Sequence, residues 1–295
     1  MDIDALAAFV EVAKTHSFSA AANSLRLTQP AVSKRIAALE AHLNHTLFDR
    51  LGKQVKLTEA GESLLPNALR ILQSIQDTER SIRELSGEIV GSLRVATSHH
   101  IGLHHLPPVL RNFAAQHKNV NLQFEFLDSE QAHYKIIKGE CELAIITLAP
   151  KLEPPLTGKI LWRDPLYFVC GIDHPLAQRQ KKNVHTTLAQ LSDTPAILPD
   201  LNTFTGRLVK ECFDTAGLSL RLNMATNYLE TIKMMVSVGL GWSVLPDTLI
   251  DEHMVKLNLI DVKLERQLGV VQHQKRSLGN AARAFYAVLE QYATQ

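Results

Sequence analysis

The chain has 295 residues, 45% of them hydrophobic and 21% charged, with a net charge of +1. That length suits roughly two domains of about 150 residues, each able to bury a core without cross-links. The composition excludes disordered, collagenous and purely coiled-coil chains. No apolar run approaches the ~20 residues that span a bilayer. The N-terminus carries Asp2 and Asp4 and no basic stretch, unlike a secretory signal. Cys141, Cys170 and Cys212 form no close pair, so a cytoplasmic, reducing location is expected. Charge is uneven along the chain. Residues 26–56 hold Arg26, Lys34, Arg35, Arg50, Lys53 and Lys56 against Glu40 and Asp49, a local net of +4. Such an island suits a surface that meets phosphates. On charge alone, an ordinary solvated face is the plainer reading.

Residues 1–58 read as small helices with tight breaks. Ala5, Leu6, Phe9, Val10, Val12 and Ala13 fall at helical spacing. Ser19 is the N-cap candidate for a short second helix, AAANSL. Thr28 is another, with Pro30 in the first turn of the helix it opens, where a missing N–H costs nothing. Val32, Ile36, Leu39 and Leu43 give that helix one apolar stripe. Asn44 ends it, because Asn tolerates left-handed backbone. Two helices joined by Arg26-Leu27 predict a helix-turn-helix. Leu47-Phe48 and Val55-Lys56-Leu57 flank a turn at Leu51-Gly52-Lys53 and read as a two-stranded wing. Opposite the apolar stripe, Gln29, Ser33, Lys34 and Arg35 offer amide, hydroxyl and cationic groups that can read base edges or bind phosphate.

Residues 59–86 read as one long helix, capped by Thr58 and stopped by Gly87. Leu64, Ala68, Ile71, Ile75, Thr78, Ile82 and Leu85 alternate in steps of four and three, a heptad seam. At 1.5 Å per residue the helix runs about 42 Å. We read it as a dimerisation helix, with packing on its own chain as the alternative. Beyond Gly87 the texture changes. Strands are expected at 92–97, 121–127 and 142–146, alternating with helices at 106–117 and 130–138. The alternation resumes with strands at 167–171, 195–199, 221–226 and 242–246 and helices near 206–216 and 228–238. This predicts an α/β domain of two similar halves with a largely parallel sheet. Its ligand crevice should lie beyond the carboxyl ends of the strands.

The run SFSAAANSLRLTQPAVSKRIAALEAHLNHTLFDR, followed by LTEAG, resembles the LysR-type transcriptional regulators. GSLRVA, GIDHPLA and MMVSVGLGWSVLP fit the same family, so the resemblance covers the whole chain. It implies an α/β protein with an N-terminal, mainly α winged helix-turn-helix (1–58) and a linker helix (59–87). A two-lobed effector domain similar to periplasmic binding proteins follows (88–295), with lobe I at about 91–161 and 268–295 and lobe II at about 162–267. Asn44 stands where the family usually has Gly, and Lys53 where it often has Arg. Carried over by position, Gln29, Pro30 and Ser33 are the base-reading edge. Thr28, Lys34, Arg35, Arg50 and Lys53 are phosphate or backbone contacts, Arg50 having Glu40 and Asp49 as alternative partners. The implied partners are promoter DNA, a small-molecule effector, further copies as a homodimer or homotetramer, and RNA polymerase, with no membrane, metal or cofactor.

In the resembling family the segment after the first effector-domain strand lines the crevice, which nominates Thr97, Ser98, His99 and His100. Thr147 falls on the same rim. Asn202, Thr203 and Phe204 face them from the second lobe, with Thr226 nearby. Hydroxyls, amides and imidazoles at a helix start suit a small polar or carboxylate effector. Four histidines at 99, 100, 104 and 105 raise a metal question. If Gly102 and Leu103 were helical, His100 and His104 would share a face at i, i+4. No carboxylate or cysteine near in sequence completes a set, and Gly102 weakens a helix, so no metal is expected. The cysteines read as buried, inert thiols. An enzyme or transport-type binder on the same α/β lobes is the rival class, but no P-loop, GxGxxG, GxSxG or HExxH is present. A DNA-binding protein indifferent to ligand is the third reading.

Overall fold

The computed structural model describes residues 1–51, 54–83, 87–181, 185–260 and 262–293. The wing-turn residues Gly52 and Lys53, the seam's Leu85 and the side chain of Arg50 lie outside the described residues. The chain divides into two units, Met1–Glu88 and Ile89–Gln295.

The first unit runs α1 (Ile3–Thr15), α2 (Phe18–Leu25), α3 (Gln29–Leu43), β1 (Phe48–Leu51), β2 (Gln54–Leu57) and α4 (Glu59–Arg83). The second helix is capped by Ser17 rather than Ser19. Ser17 is the extended residue before Phe18, and its hydroxyl accepts the Ala20 N–H at 3.2 Å. Thr28 caps α3 by accepting the Ala31 N–H at 3.4 Å, and Asn44 closes it in the left-handed conformation at φ 55°. Val32, Ile36 and Leu39 on α3 are buried with Leu6 and Phe9 of α1 and with Leu47. The wing strands pair antiparallel, Phe48 opposite Leu57. Phe48 enters the same core, its ring 5.3 Å from Phe9 and 5.8 Å from Phe18. Helix-turn-helix and wing therefore share one core, which holds α3 from its apolar side, and Glu40 Oε1 accepts the Leu47 N–H at 2.7 Å.

Gly61 is required by close approach. Thr58 Oγ1 accepts its N–H at 3.1 Å, and the Thr58 N–H donates to Leu47 O at 3.1 Å. A Cβ on Gly61 would stand 2.3 Å from that same Leu47 oxygen.

The seam of α4 is divided. Leu64, Leu65, Leu69, Ile71 and Leu72 pack on the unit's own core around the buried Ala68. The first half of the seam therefore serves the chain's own core, the alternative to a dimer contact, and stays partly exposed there. Beyond it Ile75 is half-buried, Thr78 exposed and Ile82 64% exposed. Pro66 also lies inside the helix and removes the N–H that would bond to Glu62.

The second unit contains β3 (Gly91–Thr97), α5 (His99–His104), α6 (Leu106–Gln116), β4 (Val120–Phe126), α7 (Ser129–Lys138) and β5 (Leu143–Thr147). The chain then crosses in the long β6 (Leu156–Gly171). The second half comprises α8 (Pro175–Lys181), α9 (Leu188–Asp193), β7 (Ala196–Leu198), α10 (Phe204–Thr215), β8 (Leu222–Ala225), α11 (Leu229–Ser237), β9 (Trp242–Pro246) and β10 (Met254–Lys256). It returns through β11 (Leu264–His273) to α12 (Asn280–Ala293). One sheet runs β4-β3-β5-β11-β6-β9-β7-β8, with β10 beside β6. Its wings are parallel, β4-β3-β5 and β9-β7-β8, but every pairing that β6 and β11 make is antiparallel. The sheet is mixed, not largely parallel. β6 is longer than the five residues expected, and β11 escaped prediction because neither strand alternates cleanly.

Each half has cores on both faces of the sheet. In the first, Phe113 of α6 and Phe285 of α12 pack with Leu93 and Val95, while Ala132 and Ile136 of α7 cover Ala96 and Ile146 opposite. In the second, Phe213 of α10 stacks on Trp242 at 5.6 Å, and Ile232 and Val236 of α11 cover Val169. No helix among the described residues is long and apolar enough to cross a membrane.

Gly61→Ala is expected to lower the stability of the first unit by about 1–3 kcal/mol through overpacking against the Leu47 carbonyl. Urea denaturation followed by circular dichroism checks this. An unchanged midpoint contradicts it.

Candidate functional site

Two surfaces concentrate polar groups. The first is the N-terminal edge of α3. The Thr28 cap and Pro30 start the helix at Gln29, and the Ile36 stripe turns the opposite edge outward. Thr28, Gln29, Pro30 and Lys34 are exposed, and Ser33 and Arg35 half-buried. Gln29 Nε2 donates to Ser33 Oγ at 3.0 Å, one turn apart, so the amide and hydroxyl form one polar strip. Arg35 Nη2 pairs with Asp4 Oδ2 at 2.8 Å. An exposed pair of this kind is worth under about 1 kcal/mol. Sequence reasoning missed Asp4 because it lies 31 residues away.

The second is a cavity of about 260 Å³ in the other unit, between the two halves of the sheet. It lies where the topology puts it, outside the carboxyl ends of parallel strands. Ser98, His99 and His100 follow β3, Phe126 ends β4 with Leu127 to Gln131 after it, Thr147 ends β5, and Pro199 follows β7. Asn227, Tyr228 and Leu229 follow β8. Thr203 caps α10 by accepting the Gly206 N–H at 3.1 Å, and Phe204 and Thr205 continue the wall.

Six of the nine nominated residues line this cavity: Ser98, His99, His100, Thr147, Thr203 and Phe204. The other three are not part of its lining. Thr97 is buried, its hydroxyl donating to Ile145 O at 2.8 Å. The Asn202 amide donates to Asp200 Oδ1 at 2.9 Å, and Thr226 Oγ1 accepts the Tyr228 N–H at 3.4 Å. Both close local turns.

Sequence reasoning missed Arg266, the arginine that lines the cavity together with the carboxylates Asp128 and Glu130. It sits on β11 directly opposite Asp164 on β6, and both are buried. Its Nε donates to Asp164 Oδ2 at 2.7 Å and its Nη1 to Thr205 Oγ1 at 3.2 Å. Its Nη2 is buried with no hydrogen-bond partner among the described residues. A buried guanidinium with one donor unmatched favours an anion that supplies the missing acceptor.

Carboxylates of the first half already hold the second. Glu130 Oε1 accepts the Phe204 N–H at the start of α10 at 2.5 Å and lies 3.6 Å from Arg207 Nη2. Burial pushes the Glu130 carboxyl above its usual range. Asp128 Oδ2 accepts from Asn227 Nδ2 at 2.8 Å. The His99 ring meets Tyr228 edge-on at 4.7 Å and Phe126 at 5.0 Å.

The histidine segment is helical after all. Ser98 caps α5, and Gly102 lies inside it because Phe126 covers that face, 2.5 Å from where a Cβ would stand. His100 is buried, and burial, reinforced by Arg266, His104 and His105, drives its pKa from 6.5 to about 2. Burial lowers His105 and His133 as well. All three thiols are raised by burial, Cys141 and Cys170 to about 11, which keeps them protonated and unreactive.

Residues 3–62 match the family of bacterial regulatory helix-turn-helix proteins of the lysR type, and residues 86–294 match the LysR substrate binding domain. The chain belongs to the LysR family and is a transcriptional regulator rather than an enzyme. It is 61% identical over 108 residues to an uncharacterized HTH-type transcriptional regulator in the ibpB-leuC intergenic region of Azotobacter vinelandii, covering 37% of this chain and 75% of that one. It is 28% identical over 285 residues to the RuBisCO operon transcriptional regulator of Allochromatium vinosum, covering 95% and 92%. Among solved structures, full-length CbnR in complex with its target DNA superposes with a TM-score of 0.65 at 20% identity, covering 99% of this chain and 100% of that one.

The buried His100 predicts a pH dependence of stability. The unfolded chain takes up a proton near pH 6.5, but the folded imidazole stays neutral to about pH 2. Stability is therefore full above pH 6.5 and falls as the pH drops below it, by about 1.4 kcal/mol per pH unit for this group. His105 and His133 act in the same direction. Melting curves from pH 7 to 5 should show a shallower loss in His100→Gln than in the unmodified chain. Equal slopes contradict the assignment.

Proposed function

We propose that this regulator reads promoter DNA with the N-terminal edge of α3, and that a small anionic effector held at Arg266 modulates it. Gln29, Pro30 and Ser33 face base edges in the major groove. Thr28, Lys34 and Arg35, with Arg50 and Lys53 of the wing, contact the phosphate backbone. An amide and a hydroxyl one turn apart suit base edges, and an exposed lysine suits phosphate. A guanidinium paired with Asp4 keeps further donors for phosphate. Assembly as a homodimer or homotetramer presents two such helices, with the exposed second half of α4 as a contact surface. A cytoplasmic location and contact with RNA polymerase belong to the same reading.

The effector reading rests on the unmatched Arg266 donor. Ser98, His99, His100, Thr147, Thr203 and Phe204 surround the bound molecule, with Thr97 buried beneath and Asn202 and Thr226 shaping the neighbouring turns. The cavity suits a small carboxylate. Its walls come from both halves, so the bound anion favours one setting of the halves and shifts the population of regulator states. The domains act as a DNA-binding head (1–58), a linker (59–87) and an effector module (88–295).

Mobility-shift titrations on promoter fragments test both parts. Gln29→Ala and Ser33→Ala are each expected to weaken specific binding by about 1–3 kcal/mol. Lys34→Ala should weaken it on every sequence and reduce the salt slope by about 1. Arg266→Gln should bind the promoter but ignore carboxylates that change the unmodified complex. Unaltered specific binding in both α3 variants overturns the DNA reading. Unaltered carboxylate response in Arg266→Gln overturns the effector reading.

A further inference from the structure

Three donors converge at one edge of the cavity, and one of them, His100, also belongs to its lining. His100 and His104 lie one turn apart on α5, and Glu230 opens α11 from the other half of the sheet. Their donor atoms all lie within 4.8 Å of one another. Glu230 Oε1 is 3.1 Å from His104 Nε2 and 3.9 Å from His100 Nδ1. A tetrahedral zinc ion with bonds of about 2.0–2.1 Å needs ligand atoms about 3.3 Å apart. The two distances to Glu230 bracket that value, and all three atoms lie within 4.8 Å of one another.

Two observations point to a ligand rather than a plain ion pair. First, His100 is 4% exposed, yet neither ring nitrogen has a hydrogen-bond partner among the described residues. Buried polar groups are nearly always paired, and leaving one unpaired costs about 1–3 kcal/mol. Second, burial is graded. His100 is buried, Glu230 half-buried and His104 at the surface, which gives an ion an entry path.

We propose that His100, His104 and Glu230 bind one borderline divalent transition-metal ion of the Zn²⁺ class. Two imidazoles and one carboxylate suit such an ion, and three protein ligands leave a fourth position open to water. The ion joins α5 of the first half to α11 of the second. It clips the halves together beside the cavity, which His100 also lines. By linkage, metal affinity and the closed setting of the halves reinforce each other.

Titration of the full-length chain with Co²⁺ alone, followed by its visible ligand-field absorption, tests this without any effector or DNA. The outcome is therefore independent of the effector reading. One Co²⁺ per chain is expected, displaced by Zn²⁺. His104→Ala and Glu230→Gln, both away from the core, should each weaken binding at least about tenfold. Zn²⁺ should also raise the melting temperature of the unmodified chain and not that of Glu230→Gln. Absence of a saturable Co²⁺ signal below millimolar concentration overturns the proposal. Equal affinity in the unmodified chain and both variants also overturns it, since the ion then sits on other histidines.

Discussion

The effector unit is organised by one buried ion pair. β6 and β11 carry the chain from one half of the sheet to the other and back, and Arg266 and Asp164 face each other across that ladder. Burying two charges costs several kcal/mol per ion unless geometry and extra hydrogen bonds compensate. Here Asp164 takes the Nε, Thr205 takes one terminal nitrogen, and the other is left without a partner among the described residues. The chain crosses between halves in two extended strands, and it places a fixed cation between them.

The N-terminal unit solves a simpler problem by similar means. A polar helix edge that is to meet another molecule can make few contacts with its own chain. The rigidity of α3 therefore comes from behind, through Val32, Ile36 and Leu39, and from its ends, through the Thr28 and Asn44 caps. Phe48 packs the wing's first strand against that core. In both units the fold rigidifies one side of an element and leaves the other side to a partner.

Local features were legible in the sequence. The Thr28 cap, the left-handed Asn44 and the buried stripe of α3 depend on neighbours within a turn or two. The strands at 92–97 and 242–246 carry their apolar content openly. What escaped depends on distant pairing. Arg266 is 102 residues from Asp164, and Glu230 is 126 from His104, so no spacing rule links them. Gly102 argued against a helix by intrinsic propensity, and the packing of Phe126 overrode it. Thr97 looked like a cavity residue because it ends a strand, but its hydroxyl is spent on Ile145 O. The seam of α4 read as one surface although half of it serves its own core, a distinction that periodicity does not encode.

The effector reading proposed above depends on the unmatched Arg266 donor. Guanidinium ¹⁵N NMR of the full-length chain, titrated with small carboxylates, observes that group directly. One arginine Nε resonance, absent from the spectrum of Arg266→Lys, should shift and saturate with at least one carboxylate while the other arginine signals stay in place. If no carboxylate moves that resonance, or if all arginine signals drift together with ionic strength, Arg266 is a structural ion pair and the effector binds by other means.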